Sequence, residues 1–187
     1  TFQTVTTGRH TISIYAEGVN GIFYVDDVQL EKGETAGTLD LLKYGSYESG
    51  ISQWSGNYIT SSASGGWNRS QAIMLTGHPD NNAYAYQTVN INLPATETFV
   101  LSGWAKGQSV AGISKENSSG RAFGLEAVLK YSDGSTETHY TSFDEGTNQK
   151  QFTSYNIVPK KSGLIIQTIT VRCVYGKNAN TVYFDGL

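Results

Sequence analysis

Leu164-Ile165-Ile166-Gln167-Thr168-Ile169-Thr170-Val171-Arg172-Cys173-Val174-Tyr175, then Gly176-Lys177-Asn178-Ala179-Asn180, then Thr181-Val182-Tyr183-Phe184-Asp185-Gly186-Leu187. Two runs rich in β-branched and aromatic residues flank five residues of turn chemistry, which is how a β-hairpin is written in sequence. The same period of two recurs upstream. Strands are expected over Val5 to Tyr15, Gly21 to Leu30, Tyr84 to Leu93, Thr98 to Lys106, Phe123 to Tyr131, Thr136 to Phe143 and Phe152 to Val158. Val19-Asn20-Gly21, Ser132-Asp133-Gly134-Ser135 and Glu145-Gly146-Thr147-Asn148 supply turns between them. No window of a dozen residues carries helical periodicity. The expected class is all-β, an antiparallel sandwich.

The closing hairpin also has a double. Thr11-Ile12-Ser13-Ile14 aligns with Thr170-Val171-Arg172-Cys173, and Ile22-Phe23-Tyr24-Val25-Asp26 aligns with Thr181-Val182-Tyr183-Phe184-Asp185, with no gap between them. A repeat of this kind reads as tandem modules. Residues 1–33 are then the C-terminal hairpin of a preceding unit, 34–37 a polar, Gly-bearing linker, and 38–187 the next unit. The chain opens on Thr1-Phe2-Gln3 and ends at Phe184-Asp185-Gly186-Leu187 within a strand pattern, so both ends are expected to be cuts through a longer polypeptide.

Composition narrows the function. Charged residues are 16% of the chain, below the roughly 25% usual in soluble domains, while Gly (21) and Tyr (12) are abundant. That is the profile of secreted β-proteins. A net charge of −3 offers no footprint for nucleic acid. No apolar stretch approaches the roughly 18 residues of a membrane helix, so no membrane insertion is expected. Cys173 is the one cysteine, within an apolar strand run, and reads as a buried strand residue rather than a reactive thiol.

Three segments carry a family resemblance. Leu41-Leu42-Lys43-Tyr44-Gly45-Ser46-Tyr47-Glu48-Ser49-Gly50, with Trp54, resembles the opening of carbohydrate-binding-module-like jelly rolls; Phe99-Val100-Leu101-Ser102-Gly103-Trp104-Ala105-Lys106 resembles a middle strand, and Val182-Tyr183-Phe184-Asp185-Gly186-Leu187 the closing one. Tandem units of this type are similar to those of bacterial wall-associated YD-repeat (Rhs-type) and other large secreted surface proteins. The resemblance implies an extracellular or cell-wall-associated bacterial module that binds polysaccharide or cell-wall glycan, or serves as an adhesive or structural spacer among neighbouring modules. It also implies a structural calcium ion, with Glu48 and Asp185 at the matching ligand positions and backbone carbonyls near Tyr44 to Ser46 adding oxygens. Tyr44 and Gly186 depart from the pattern, each replacing a residue with an oxygen-bearing side chain.

Sugar recognition needs flat apolar rings flanked by amides or carboxylates. Trp54, Tyr58, Trp67, Asn68, Tyr84, Tyr86, Tyr131, Tyr140 and Tyr155 form the pool. Trp67 and Asn68 sit in a Gly/Ser-rich loop, and the spacing of Tyr84 and Tyr86 puts both rings on one strand face. These four are the candidate ligand-binding residues. Trp54 and Trp104 are expected in the core or at its edge. Catalysis is not expected: His10, His78 and His139 lack metal-ligand spacing, and no G-x-S-x-G or phosphate-loop motif occurs. A glycoside-active enzyme would need two carboxylates converging, and the acids mostly lie beside turn residues.

Overall fold

The computed structural model describes residues 41–66, 69–107, 120–144 and 149–187. The expectations for the hairpin 1–33, the linker 34–37 and the loop residues Trp67 and Asn68 lie outside them.

Among the described residues ten strands run in chain order: β1 (Ser55–Asn57), β2 (Ile59–Ser62), β3 (Ala72–Thr76), β4 (Asn82–Pro94), β5 (Phe99–Gly107), β6 (Ala122–Tyr131), β7 (Thr136–Ser142), β8 (Gln151–Ile157), β9 (Ile165–Gly176) and β10 (Thr181–Asp185). They form two five-stranded sheets, a front sheet ordered β1-β4-β9-β6-β7 and a back sheet ordered β2-β3-β10-β5-β8. Every pairing is antiparallel. The result is the β-sandwich jelly roll expected from the alternation. No helix among the described residues is long and apolar enough to cross a membrane.

Alternation explains the layering, because successive side chains leave a strand on opposite faces. On β9, Ile169, Val171, Cys173 and Tyr175 are buried, while Thr170, Arg172 and Val174 point away from the core. On β6 the buried set is Phe123, Leu125, Ala127, Leu129 and Tyr131. The back sheet answers with Ile73, Leu75, Leu101, Ala105, Val182 and Phe184. Phe123 joins the layers: its ring lies 5.1 Å from Phe143, 5.9 Å from Tyr175 and 5.8 Å from Phe184, measured between centroids. Burying one such ring stabilises the fold by roughly 1.5–3 kcal/mol.

Three short strands escape the alternation rule. β3, Ala72-Ile73-Met74-Leu75-Thr76, is an interior strand written as a nearly continuous apolar run, and β1 and β2 are only three and four residues long. The opening segment, with its pattern of a first strand, folds instead as successive turns with Tyr44 and Tyr47 at positive φ. It still meets the residues just past β10: Leu187 N donates to Gly45 O at 3.1 Å. Tyr47 and Trp54 from this segment are buried, edge to face at 5.4 Å. Trp104 does not join them. It shares β5 with the buried Leu101 and Ala105 but takes the opposite parity, half-buried on the outer face beside Phe152 at 5.0 Å.

Candidate ligand-binding face

The outward positions of the front sheet make one continuous surface. Register sets its rows. Tyr86 of β4 is opposite Arg172 of β9, Arg172 is opposite Glu126 of β6, and Glu126 is opposite Tyr140 of β7. At about 4.8 Å between strands this row is about 14 Å wide. Next to it run Tyr84, Val174 and Gly124, and on the other side Thr88, Thr170 and Val128.

Tyr84 and Tyr86 lie side by side, 6.2 Å between ring centroids, each 36% exposed. They hold their places because Ala83 and Ala85, which alternate with them, are wholly buried and fix which face of β4 is inward. Beyond them Arg172 Nη1 donates to Glu126 Oε1 at 2.6 Å, and the hydroxyls of Thr88 and Thr170 meet at 2.9 Å. Tyr140 closes the far side. A Cβ on Gly124 would stand 2.5 Å from the Tyr140 hydroxyl and 2.6 Å from its Cζ, so the ring uses the space that glycine leaves open. Beside the tyrosine pair is a depression of about 620 Å³ lined by Asn82, Tyr84, Tyr86, Thr88, Glu126, Thr170, Arg172 and Val174.

Tyr84 and Tyr86 therefore stand where strand periodicity puts them. Arg172, Glu126 and the threonine pair complete the surface and were not singled out. Glu126 in particular is a mid-strand residue, whereas most acids were expected beside turns. The available signal was parity: each is a polar residue out of phase with the buried set on a central strand. Of the remaining aromatics, Trp54 and Tyr131 are core. Tyr58 is exposed and stacks on His78 at 5.8 Å, and Tyr155 lies 5.9 Å from His139.

Glu48 and Asp185 attach to adjacent residues. Glu48 Oε1 accepts from the backbone N–H of Gln71 at 3.0 Å, and Asp185 Oδ2 accepts from the Ser70 hydroxyl at 2.7 Å. Asp185 is buried, and Gly66 packs so closely over its carboxylate that a Cβ there would collide with Oδ2. No group of three or more His, Cys, Asp or Glu side chains gathers among the described residues; calcium, which accepts backbone and amide oxygens, does not depend on one.

A second polar cluster occupies one end of the sandwich. Glu137 Oε2 accepts from the Tyr131 hydroxyl at 2.6 Å and from Lys160 N at 3.0 Å, and Glu137 Oε1 is 2.8 Å from His139 Nε2. Burial alone would raise the Glu137 carboxyl, but these donors outweigh it and hold the group below its ordinary value. Tyr131 is pushed up to about 12, first by burial and then by the Glu137 carboxylate.

No family model matches the chain. In sequence it is 25% identical over 173 residues to the tRNA(Glu)-specific nuclease WapA of Bacillus subtilis subsp. natto, covering 89% of this chain. The tRNA3(Ser)-specific nuclease WapA of Bacillus spizizenii matches over the same length at the same identity. The chain spans 7% of the length of these curated relatives. Among solved structures it is similar to a family 16 carbohydrate-binding module, with a TM-score of 0.54 and 15% identity over 78% of this chain and 96% of that one. It is also similar to the CBM22-1 xylan-binding domain from Paenibacillus barcinonensis, with a TM-score of 0.50 and 17% identity over 81% and 94%. At these identities the likeness is one of fold: the described residues build the jelly-roll sandwich that carbohydrate-binding modules share.

Proposed function

We propose that residues 38–187 form a non-catalytic, glycan-binding module of a larger extracellular or wall-associated bacterial protein. The observation that carries this is the front face itself, where the exposed Tyr84–Tyr86 pair borders a depression lined with hydroxyls and one ion pair. Aromatic rings cover the CH faces of sugars, and nearby donors and acceptors take their hydroxyls. The module reading draws on the relatives' length, of which this chain spans 7%, and on the sequence repeat, by which 1–33 is read as the closing hairpin of a like unit. The nuclease named for those relatives is not transferred, since a net charge of −3 is poor for binding a polyanion. Nor does the face present two facing carboxylates. Among the described outward positions of β4, β6, β7 and β9, Glu126 is the sole acid, and Arg172 holds it.

A glycan array with the full chain tests this. Binding is expected, with Tyr84→Ala and Tyr86→Ala each weakening it about 5- to 10-fold. An array on which nothing is retained, with the protein folded, leaves a purely structural tandem unit as the function.

A further inference from the structure

The Arg172–Glu126 pair has capacity left over. Its one contact among the described residues, Nη1 to Oε1 at 2.6 Å, uses one of the five N–H donors of a guanidinium and one of the two oxygens of a carboxylate. Both side chains line the depression, and they are 43% and 22% exposed respectively. A ligand therefore meets donors and an acceptor side by side, next to the Tyr86 ring and the Thr88–Thr170 hydroxyls.

The charges cancel at this point. The other formal charge among the described outward positions of β4, β6, β7 and β9 is Lys130, in register with Thr168. It lies four residues along the strand from Glu126, about 13 Å away, beyond the screening length of about 8 Å at physiological salt. An anionic group brought to Arg172 must approach Glu126 as well or separate the pair, and separating it leaves a partly buried carboxylate without its partner. A sugar hydroxyl meets neither penalty, because it accepts from the guanidinium and donates to the carboxylate. Two neighbouring hydroxyls occupy both groups at once.

We propose that the Arg172–Glu126 pair makes this face selective for neutral glycans, engaging adjacent hydroxyls and turning away uronate- or sulfate-bearing chains. The inference rests on the glycan-binding reading above. Glu126 is thus a specificity-determining residue: it occupies the one arginine that would otherwise attract acidic sugars.

The test is affinity electrophoresis of the full chain in gels containing neutral polysaccharides (glucan, xylan, galactan, mannan) or acidic ones (polygalacturonate, alginate, a sulfated galactan). The wild type should be retarded by a neutral polymer and pass the acidic gels freely. Glu126→Gln keeps the shape and an acceptor for Arg172 but removes the charge. It should shift the ratio of acidic to neutral affinity upward by about 5-fold, the size of a partly exposed charge interaction. Thermal unfolding confirms that the variant is folded, and the wild-type comparison needs no variant at all. Stronger retardation of the wild type by an acidic polymer overturns the selectivity and leaves the glycan-binding reading intact. An unchanged ratio in Glu126→Gln overturns the role of Glu126. No retardation in any gel removes both readings together.

Discussion

The side chain of Gln87 pairs with the backbone of Lys43 as a neighbouring strand would. Its Oε1 accepts from Lys43 N at 2.6 Å, its Nε2 donates to Lys43 O at 2.9 Å, and the same nitrogen reaches Gln53 O at 3.4 Å. Gln87 is a buried polar residue on an inward position of β4, and these bonds tie the turn-rich opening segment to the sheet. Gln87→Ala would leave both backbone groups of Lys43 without these partners, so a loss of about 2 kcal/mol is expected. Denaturant unfolding measures it, and a loss under about 0.5 kcal/mol would show that the segment is held by its other contacts, the burial of Tyr47 and Trp54 foremost.

Gly124→Ala should disturb the far side of the face. Its new methyl meets the Tyr140 ring and the Thr141 carbonyl, of which only the ring can swing away. A destabilisation of roughly 1–3 kcal/mol is expected. Glycan affinity should fall with it if Tyr140 contributes to the face, and unchanged affinity would assign Tyr140 to packing.

Alkali should unfold the domain in a defined window. Tyr131 and Tyr175 are both raised to about 12, burial being the leading cause in each. Between the ordinary tyrosine value of 10.0 and about 12 the unfolded chain releases these protons and the folded one keeps them, so stability falls as pH rises through that range. Tyr131→Phe should lessen the fall. A pH-stability curve for the variant that parallels the wild type would exclude Tyr131 as its source.

Acid acts on the same cluster with the opposite sign. Glu137 is held below its ordinary 4.5, so its contribution is complete above that pH and disappears as pH falls through the lower folded value. Glu137→Gln should flatten the acid limb of the stability curve. An unaltered limb would assign acid sensitivity to other carboxylates.

Calcium is the remaining proposal. The buried Asp185 carboxylate and Glu48 hold the adjacent residues Ser70 and Gln71, and such an arrangement fits an ion completed by backbone oxygens. Calcium should raise the melting temperature by mass action, and Asp185→Asn should abolish the rise. A melting curve that neither calcium nor a chelator moves would end this proposal.

How far the sequence carried varies with the kind of information needed. β4 to β10 were legible because each alternates over five or more residues. β3 was not, since Ala72 to Leu75 form an interior run in which alternation has little to show, and β1 has only Ser55-Gly56-Asn57 to mark it. On the face, Tyr84 and Tyr86 depend on local periodicity alone and were found. Glu126 and Arg172 stand 46 positions apart and become partners through the pairing of β6 with β9, which no local pattern specifies. The face taken by Trp104 was not legible for a related reason: its motif places it in a strand and says nothing of parity.

The bond between Leu187 N and Gly45 O has a mechanical meaning. Residues 45 and 187 are neighbours, so a pull applied between them is borne first at that corner, by this bond and the Gln87 clasp. The long ladders of β4, β9 and β6 lie outside the line of force. Were such units joined in series, as proposed above, a pull would open corners one after another while each sandwich stayed closed, and the corner rather than the sheets would be the elastic element.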